Sequence, residues 1–325
     1  MRSVYATTYR MVGWMNELEQ LLEQTIRRHV RADGRVVSVA TRPMRERERG
    51  YSGAHMERHE VGYRDAHGAI YRASLVTKDA SLTERRVLER LAAQGQCVPY
   101  SYTLDLTTNR SALVCQQDLD GDALDGSSSV GTVWQVARCL ARIHAANLGR
   151  ADELAWLPRA AQAYVEDVIL ADFRQQLALT VEHPAFAAEY GETARRMEEV
   201  TQPFLVVMGT LWTEGDSLTL IHADLMDDHV LIHAGRPYLI DWGQARYGSL
   251  YLDLPNIFTP DTVLLYQDAL AELGHDIPTE EFMRRYREAG RYPGFKYMGF
   301  LLSLWRAGQL DSLHGSLLDQ LLHGT

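Results

Sequence analysis

The stretch from Leu220 to Pro255 constrains this chain more than any other part of it. A short apolar run, Leu218 to Ile221, delivers a polar loop from His222 to His229, and a second, Val230 to Ile232, leaves it. His233 to Arg236 is turn-like, with Gly235 able to take positive φ. A third apolar run, Pro237 to Ile240, then ends at Asp241. The pattern predicts a loop and a β-hairpin that hold Asp224 and Asp241 near one another, with His229 between them in sequence. Two carboxylates at strand ends can divide labour, one taking a proton and the other holding a metal. In phosphoryl transfer one aspartate orients the attacking hydroxyl and another holds Mg²⁺ on the nucleotide phosphates. A lone aspartate in a loop is usually a turn or cap residue. The pair, at this spacing and in this setting, carries the functional reading.

The first hundred residues prepare a second cluster. Leu18, Leu21, Leu22, Thr25 and Ile26 recur at helical spacing between Trp14 and Val30, and Gly34 follows. Strands are expected at Arg35 to Thr41, Glu57 to Tyr63 and Ala69 to Thr77. Between the first two lie Gly50 and Gly53 without a Gly-x-Gly-x-x-Gly pattern; Ser52 and Gly53 are candidate phosphate contacts, against an ordinary hairpin turn. Lys78 ends the third strand, and Ser81-Leu-Thr-Glu84 opens a helix reaching Ala93. Ser81 with Glu84 fits a capping box. The alternative is an ion pair in which Glu84 orients Lys78 toward nucleotide phosphates, with Glu89 as the other candidate partner. Strands at Ser101 to Leu106 and Ser111 to Gln117 precede a polar loop, Gly121 to Gly131, and a helix from Thr132 to Ala146 in which His144 reads as a packing residue. The remainder reads as helical, broken at Pro158, Pro184, Pro203, Gly274 to Pro278 and Arg291 to Gly294. Tyr292, Phe295, Tyr297, Phe300 and Trp305 read mostly as core.

The loop and hairpin resemble the catalytic loop and Asp-Phe-Gly segment of kinases. More closely they resemble the aminoglycoside phosphotransferase/choline kinase family, which writes them as His-Gly-Asp-Leu-His-x-x-Asn and Ile-Asp-Trp. That resemblance implies an α+β, protein-kinase-like fold of two lobes. Residues 1–118 would form a small antiparallel β-sheet lobe with helices. Residues 119–325 would form a larger, mostly helical lobe with the catalytic loop and acceptor pocket. It implies Asp224 as catalytic base with His222 bracing the loop, and Asp241 as principal Mg²⁺ ligand. Asp253, in Leu-Asp-Leu-Pro, matches a downstream aspartate that is mostly structural. Lys78 would neutralise phosphates of ATP or GTP, oriented by Glu84, and the backbone of Gln116, Gln117 and Asp118 would read the purine edge. The family's second metal ligand, an Asn, falls at His229; an imidazole suits hard Mg²⁺ less well than an amide oxygen. Some members that phosphorylate the 2″-hydroxyl of aminoglycosides resemble this chain in carrying His there.

The expected acceptor is a hydroxyl of an aminoglycoside or similar antibiotic, with a sugar, choline-like or nucleoside compound as the alternative. Asp227 and Asp228 beside the base suit a cationic acceptor, while Asp276, Glu280 and Glu281 read as solvated faces. A nucleotide-binding pseudokinase, favoured by His229, and a zinc hydrolase using His222, Asp224, His229 and His233 are the rival classes. The net charge of −10 argues against nucleic-acid or anionic-membrane partners. Three separated cysteines, the lack of an apolar signal core in Met1 to Arg10, and no run near the ~18 apolar residues of a span point to a cytoplasmic protein. A monomer or homodimer is expected. The basic residues number 33, yet only Lys78 and Lys296 are lysines, which singles out both.

Overall fold

The computed structural model describes residues 17–44, 55–313 and 315–324. They fall into two compact units. The first takes the described residues up to Ala123 together with Leu231–Gly243. The second takes Leu124–Val230 and Gln244 onward. The hairpin that delivers Asp241 therefore belongs to the first unit and the loop bearing Asp224 to the second.

In the first unit, α1 (Glu17–Thr25) runs on as a wider turn through Val30. Five antiparallel strands follow: β1 (Arg35–Pro43), β2 (Met56–Arg64), β3 (Ile70–Ala80), β4 (Ser101–Thr103) and β5 (Ala112–Gln117), in the order β1-β2-β3-β5-β4. Leu21, Leu22 and Ile26 of α1 pack on Val61, Tyr63, Leu75 and Cys115 of the sheet. Successive strand residues point to opposite faces, so burying these positions under α1 turns their neighbours, Lys78 among them, to the other side. The helix α2 (Leu82–Ala93) joins β3 to β4. Three short strands complete the unit as a sheet in the order β6-β8-β9: β6 (Asp122–Ala123), β8 (Val230–His233) and β9 (Arg236–Leu239).

The second unit is mostly helical. It contains α3 (Val130–Asn147), α4 (Ala171–Val181), α5 (Pro184–Glu199), α6 (Thr201–Glu214), α7 (Val263–Glu272), α8 (Thr279–Ala289), α9 (Arg291–Arg306) and α10 (Ser316–His323). Its sheet pairs β7 (Leu218–Ile221) antiparallel with β10 (Arg246–Ser249), a strand too short and too polar to announce itself in the sequence. Two expected breaks fall at helix starts, just past the ends of α5 and α8. Pro203 and Pro293 each stand third in their helix, where the missing N–H would have no intrahelical acceptor. The α9 helix lies tightly between neighbours. A Cβ at Gly294 would come within 2.5 Å of the Leu321 backbone nitrogen, and one at Gly299 would collide with the Asp172 carboxylate. Phe295 of α9 stacks on Phe204 and meets Phe173 edge-on, with ring centres 4.5 and 5.2 Å away. Among the described residues no helix is long and apolar enough to cross a membrane.

Candidate active site

In the first unit Lys78 sits near the end of β3, its side chain only 9% exposed. Ser81 caps α2 by accepting the Glu84 N–H at 3.2 Å. The Glu84 side chain does not complete the capping box. It turns to Lys78, with its carboxylate 2.5 Å from Nζ. Glu89, the other candidate partner, pairs with Arg28 at 2.7 Å. Asp241 arrives just after β9, 163 residues downstream, and accepts from the same Nζ at 2.9 Å. Burial works against the Lys78 charge, but the two carboxylates outweigh it and hold the ammonium above its ordinary pKa. Asp241 itself has φ +62°, in the left-handed region that aspartate tolerates better than most residues. Its side chain is 38% exposed, so the carboxylate that anchors Lys78 still faces solvent.

In the second unit β7 delivers His222, Ala223 and Asp224 into a sharp turn. Asp253, fully buried, accepts the backbone N–H groups of His222 at 2.6 Å and Ala223 at 2.8 Å. His144 adds Nε2 at 3.3 Å, and its Nδ1 lies 2.7 Å from the Tyr266 hydroxyl. Burial alone would favour a neutral carboxyl; the bond and charge of His144 and the proximity of His222 instead hold the Asp253 pKa below its ordinary value. These bonds keep Ala223 at φ +62°. That is the position where the family pattern carries glycine. His222 is fully buried, its ring stacked on that of His229 at 5.5 Å. His229 Nδ1 donates to the Asp224 carbonyl at 2.6 Å, so only its other ring nitrogen could face a metal.

The Asp224 carboxylate is held from α9. The Tyr297 hydroxyl donates to Oδ1 at 2.7 Å, and Lys296 Nζ lies 2.8 Å from the same oxygen. Lys296 Nζ also donates to the Ala223 carbonyl. In the sequence the aromatic residues of α9 read mostly as packing, and Lys296 has no assigned role. Its one available signal was the rarity of lysine.

The remaining candidates are placed as follows. Ser52 and Gly53 lie outside the described residues. Gln116 and Gln117 end β5, and Asp118 follows. The Gln117 and Asp118 N–H groups are already donated to Tyr100 and Ser74 carbonyls, so a purine edge would need other backbone groups of this segment. The Asp118 carboxylate pairs with Arg58 at 2.7 Å. Asp227 is half-buried and its pKa is raised by burial and by the charges of Asp228 and Asp125. Glu281 is bonded to Arg284 and Arg285.

The sequence profile described as the phosphotransferase enzyme family matches residues 44–293, most of the chain. The chain belongs to that family. Comparison with curated protein sequences finds no match. Solved structures share the fold of this phosphotransferase. Spectinomycin phosphotransferase APH(9)-Ia, in complex with AMP, superposes with a TM-score of 0.57 at 13% identity over 81% of this chain and 90% of its own. Macrolide 2'-phosphotransferase MphH from Brachybacterium faecium gives 0.51 at 18% identity, covering 92% of this chain and 97% of its own. Choline kinase LicA from Streptococcus pneumoniae gives 0.50 at 13%, covering 94% and 96%. The phosphotransferase thus has the α+β, protein-kinase-like fold, with a small antiparallel-sheet unit and a larger helical one.

Among the described residues no three His, Cys, Asp or Glu side chains gather closely enough to form a metal cage. Zinc sites of hydrolases need such a set, so the four-ligand zinc arrangement is not assembled. Mg²⁺ is different. It keeps waters and is usually bound through one or two carboxylates plus substrate phosphates. A solvent-facing aspartate such as Asp241 fits that donor requirement.

Proposed function

We propose that this phosphotransferase moves the γ-phosphoryl group of ATP or GTP onto a hydroxyl of a small molecule, with Asp224 as base and Asp241 as the principal Mg²⁺ ligand. The observation that carries the reading is the buried Lys78, ion-paired with both Glu84 and Asp241. A charged lysine fixed beside a solvent-facing carboxylate supplies the cation and the metal ligand that a nucleotide's phosphates require. Glu84 fixes the rotamer of Lys78. Bound Mg²⁺ would supply charge neutralisation on the phosphate oxygens. Asp224 accepts the proton of the acceptor hydroxyl as that oxygen bonds the γ-phosphorus. The bond from phosphorus to the β–γ bridging oxygen breaks and the nucleoside diphosphate leaves. His222, buried, acts on the loop rather than on a ligand. His229 fixes the Asp224 carbonyl through Nδ1, and a contact to a second Mg²⁺ would fall to Nε2.

For the acceptor we favour an aminoglycoside or a similar hydroxylated antibiotic. The neighbouring carboxylates of Asp227, Asp228 and Asp125 suit a cationic molecule. A choline-like, sugar or nucleoside acceptor is the alternative. The test is transfer from MgATP and MgGTP to spectinomycin, an aminoglycoside, a macrolide and choline, beside the Asp224→Ala protein. The base assignment expects a loss of about 10²–10⁴-fold in that variant, the usual worth of a positioned base. Undiminished transfer would reject Asp224, and phosphorylation of choline alone would replace the antibiotic assignment.

A further inference from the structure

We infer that Lys296 and Tyr297 are positioning residues for Asp224: they hold Oδ1 of its carboxylate so that Oδ2 is presented to the acceptor hydroxyl. The inference rests on the assignment of Asp224 as base. Both donors converge on one oxygen, Tyr297 at 2.7 Å and Lys296 at 2.8 Å. Among the described residues no other side-chain or backbone group bonds either oxygen of this carboxylate. A carboxylate held at one oxygen has its plane and its χ angles fixed, which is the geometry a base needs before the reacting hydroxyl arrives.

Lys296 does more than pair with the charge. Its Nζ donates to the Ala223 carbonyl, one residue earlier, and lies 5.3 Å from the Tyr297 ring centre. One ammonium therefore ties the backbone of the turn to the side chain that the turn displays. Lysine suits the task because its three donors radiate from a point, whereas a guanidinium presents a planar fork. In a chain that uses arginine almost everywhere else, a lysine here marks a site where the fork does not serve. Tyr297 remains a donor because burial and the Asp224 charge both raise its pKa. The close packing around Gly294 and Gly299 fixes the helix that carries the pair.

The scarcity of lysine gives a direct test on the full chain. Protein labelled with ¹⁵N at lysine Nζ carries two ammonium signals, assigned with Lys78→Met and Lys296→Met. Asp224→Asn should move the Lys296 signal and leave that of Lys78 in place; Asp241→Asn should do the reverse. An unmoved Lys296 signal in Asp224→Asn overturns the pairing. The functional arm is phosphate release from MgATP to water, with Asp224→Asn as the floor. Lys296→Met and Tyr297→Phe should lower kcat by about 10-fold or more and about 3-fold, with KM for MgATP unchanged. Lys296→Arg should restore the ammonium's charge but less than half of the lost kcat. Unchanged kcat in Lys296→Met, above a clear Asp224→Asn floor, overturns the positioning role while sparing the base. Wild-type release no greater than the floor removes Asp224 as base, and the positioning role with it.

Discussion

The chain's two lysines each pair with one of the two motif aspartates, and the two pairs are built in opposite senses. In the first unit the carboxylates serve the lysine. Glu84 is buried, Asp241 is open, and Lys78 is locked between them. In the second unit the lysine serves the carboxylate. Asp224 takes donors from Lys296 and Tyr297, and its turn is pinned from behind by Asp253. Under the roles proposed above, a group that neutralises phosphate charge needs a fixed cation, and a group that takes a proton needs a fixed, partly open anion; each arrangement suits one of them.

The sharpest way to break the comparison is to remove each ammonium in turn. Lys78→Met leaves the Glu84 carboxylate, 5% exposed, buried without its counter-charge. Loss of one partner of a buried pair costs about 3–5 kcal/mol. Because Asp241 is partly solvated, the lower end, about 3 kcal/mol, is expected in urea unfolding, together with loss of phosphoryl transfer. Lys296→Met should cost less, about 1–2 kcal/mol, since Asp224 is 24% exposed and keeps its bond from Tyr297. Equal losses in the two variants would mean that the second pair is a structural tie like the first.

The same contrast explains what the sequence could disclose. Lys78 and Glu84 fall within one strand-to-helix connection, and the loop and hairpin aspartates fall within one short motif, so spacing alone brought them forward. Lys296 reaches a loop 73 residues upstream of it, at the Ala223 carbonyl, from a helix whose aromatic residues read as core. Nothing in local periodicity separates a tyrosine that fills space from one that holds a carboxylate. The pairing of β10 with β7 escaped for a related reason. It depends on a four-residue strand whose partner is chosen by the fold. Proline marked the helix boundaries near Pro203 and Pro293 but not their exact residues, because it is tolerated in the first turn of the helix that follows.

Asp253 offers a smaller and pH-dependent effect. Its folded pKa lies below the ordinary carboxylate value, so the stability it contributes is fully present above about 3.9, the unfolded value. That contribution is lost as pH falls through the lower folded value. Asp253→Asn keeps the shape but not the charge-assisted bonds to the turn. A loss of about 2–3 kcal/mol is expected at neutral pH, the usual worth of bonds to a charged group. The difference from wild type should hold steady above about pH 5 and shrink only in acid. A difference that also changed between pH 6 and 8 would overturn the assignment of this effect to the Asp253 carboxylate.

The smallest effect lies at the turn itself. Ala223 and Asp241 share φ +62°, but the two residues differ in how well they bear it. An L-residue in this region costs about 1–2 kcal/mol, least for Asn and Asp. Ala223→Gly relieves that cost and gives back about 0.4–1 kcal/mol through the freer unfolded chain. A net gain of about 0.5 kcal/mol is expected, read as a small rise in the urea midpoint at unchanged slope. The gain should be larger in the Asp253→Asn background. There the two backbone bonds that enforce the turn are weakened, and alanine loses part of what holds it in place. Additive effects of the two substitutions would show instead that the turn is set by β7 and α9 without help from Asp253, and the conformation that displays Asp224 would then be a property of the surrounding unit.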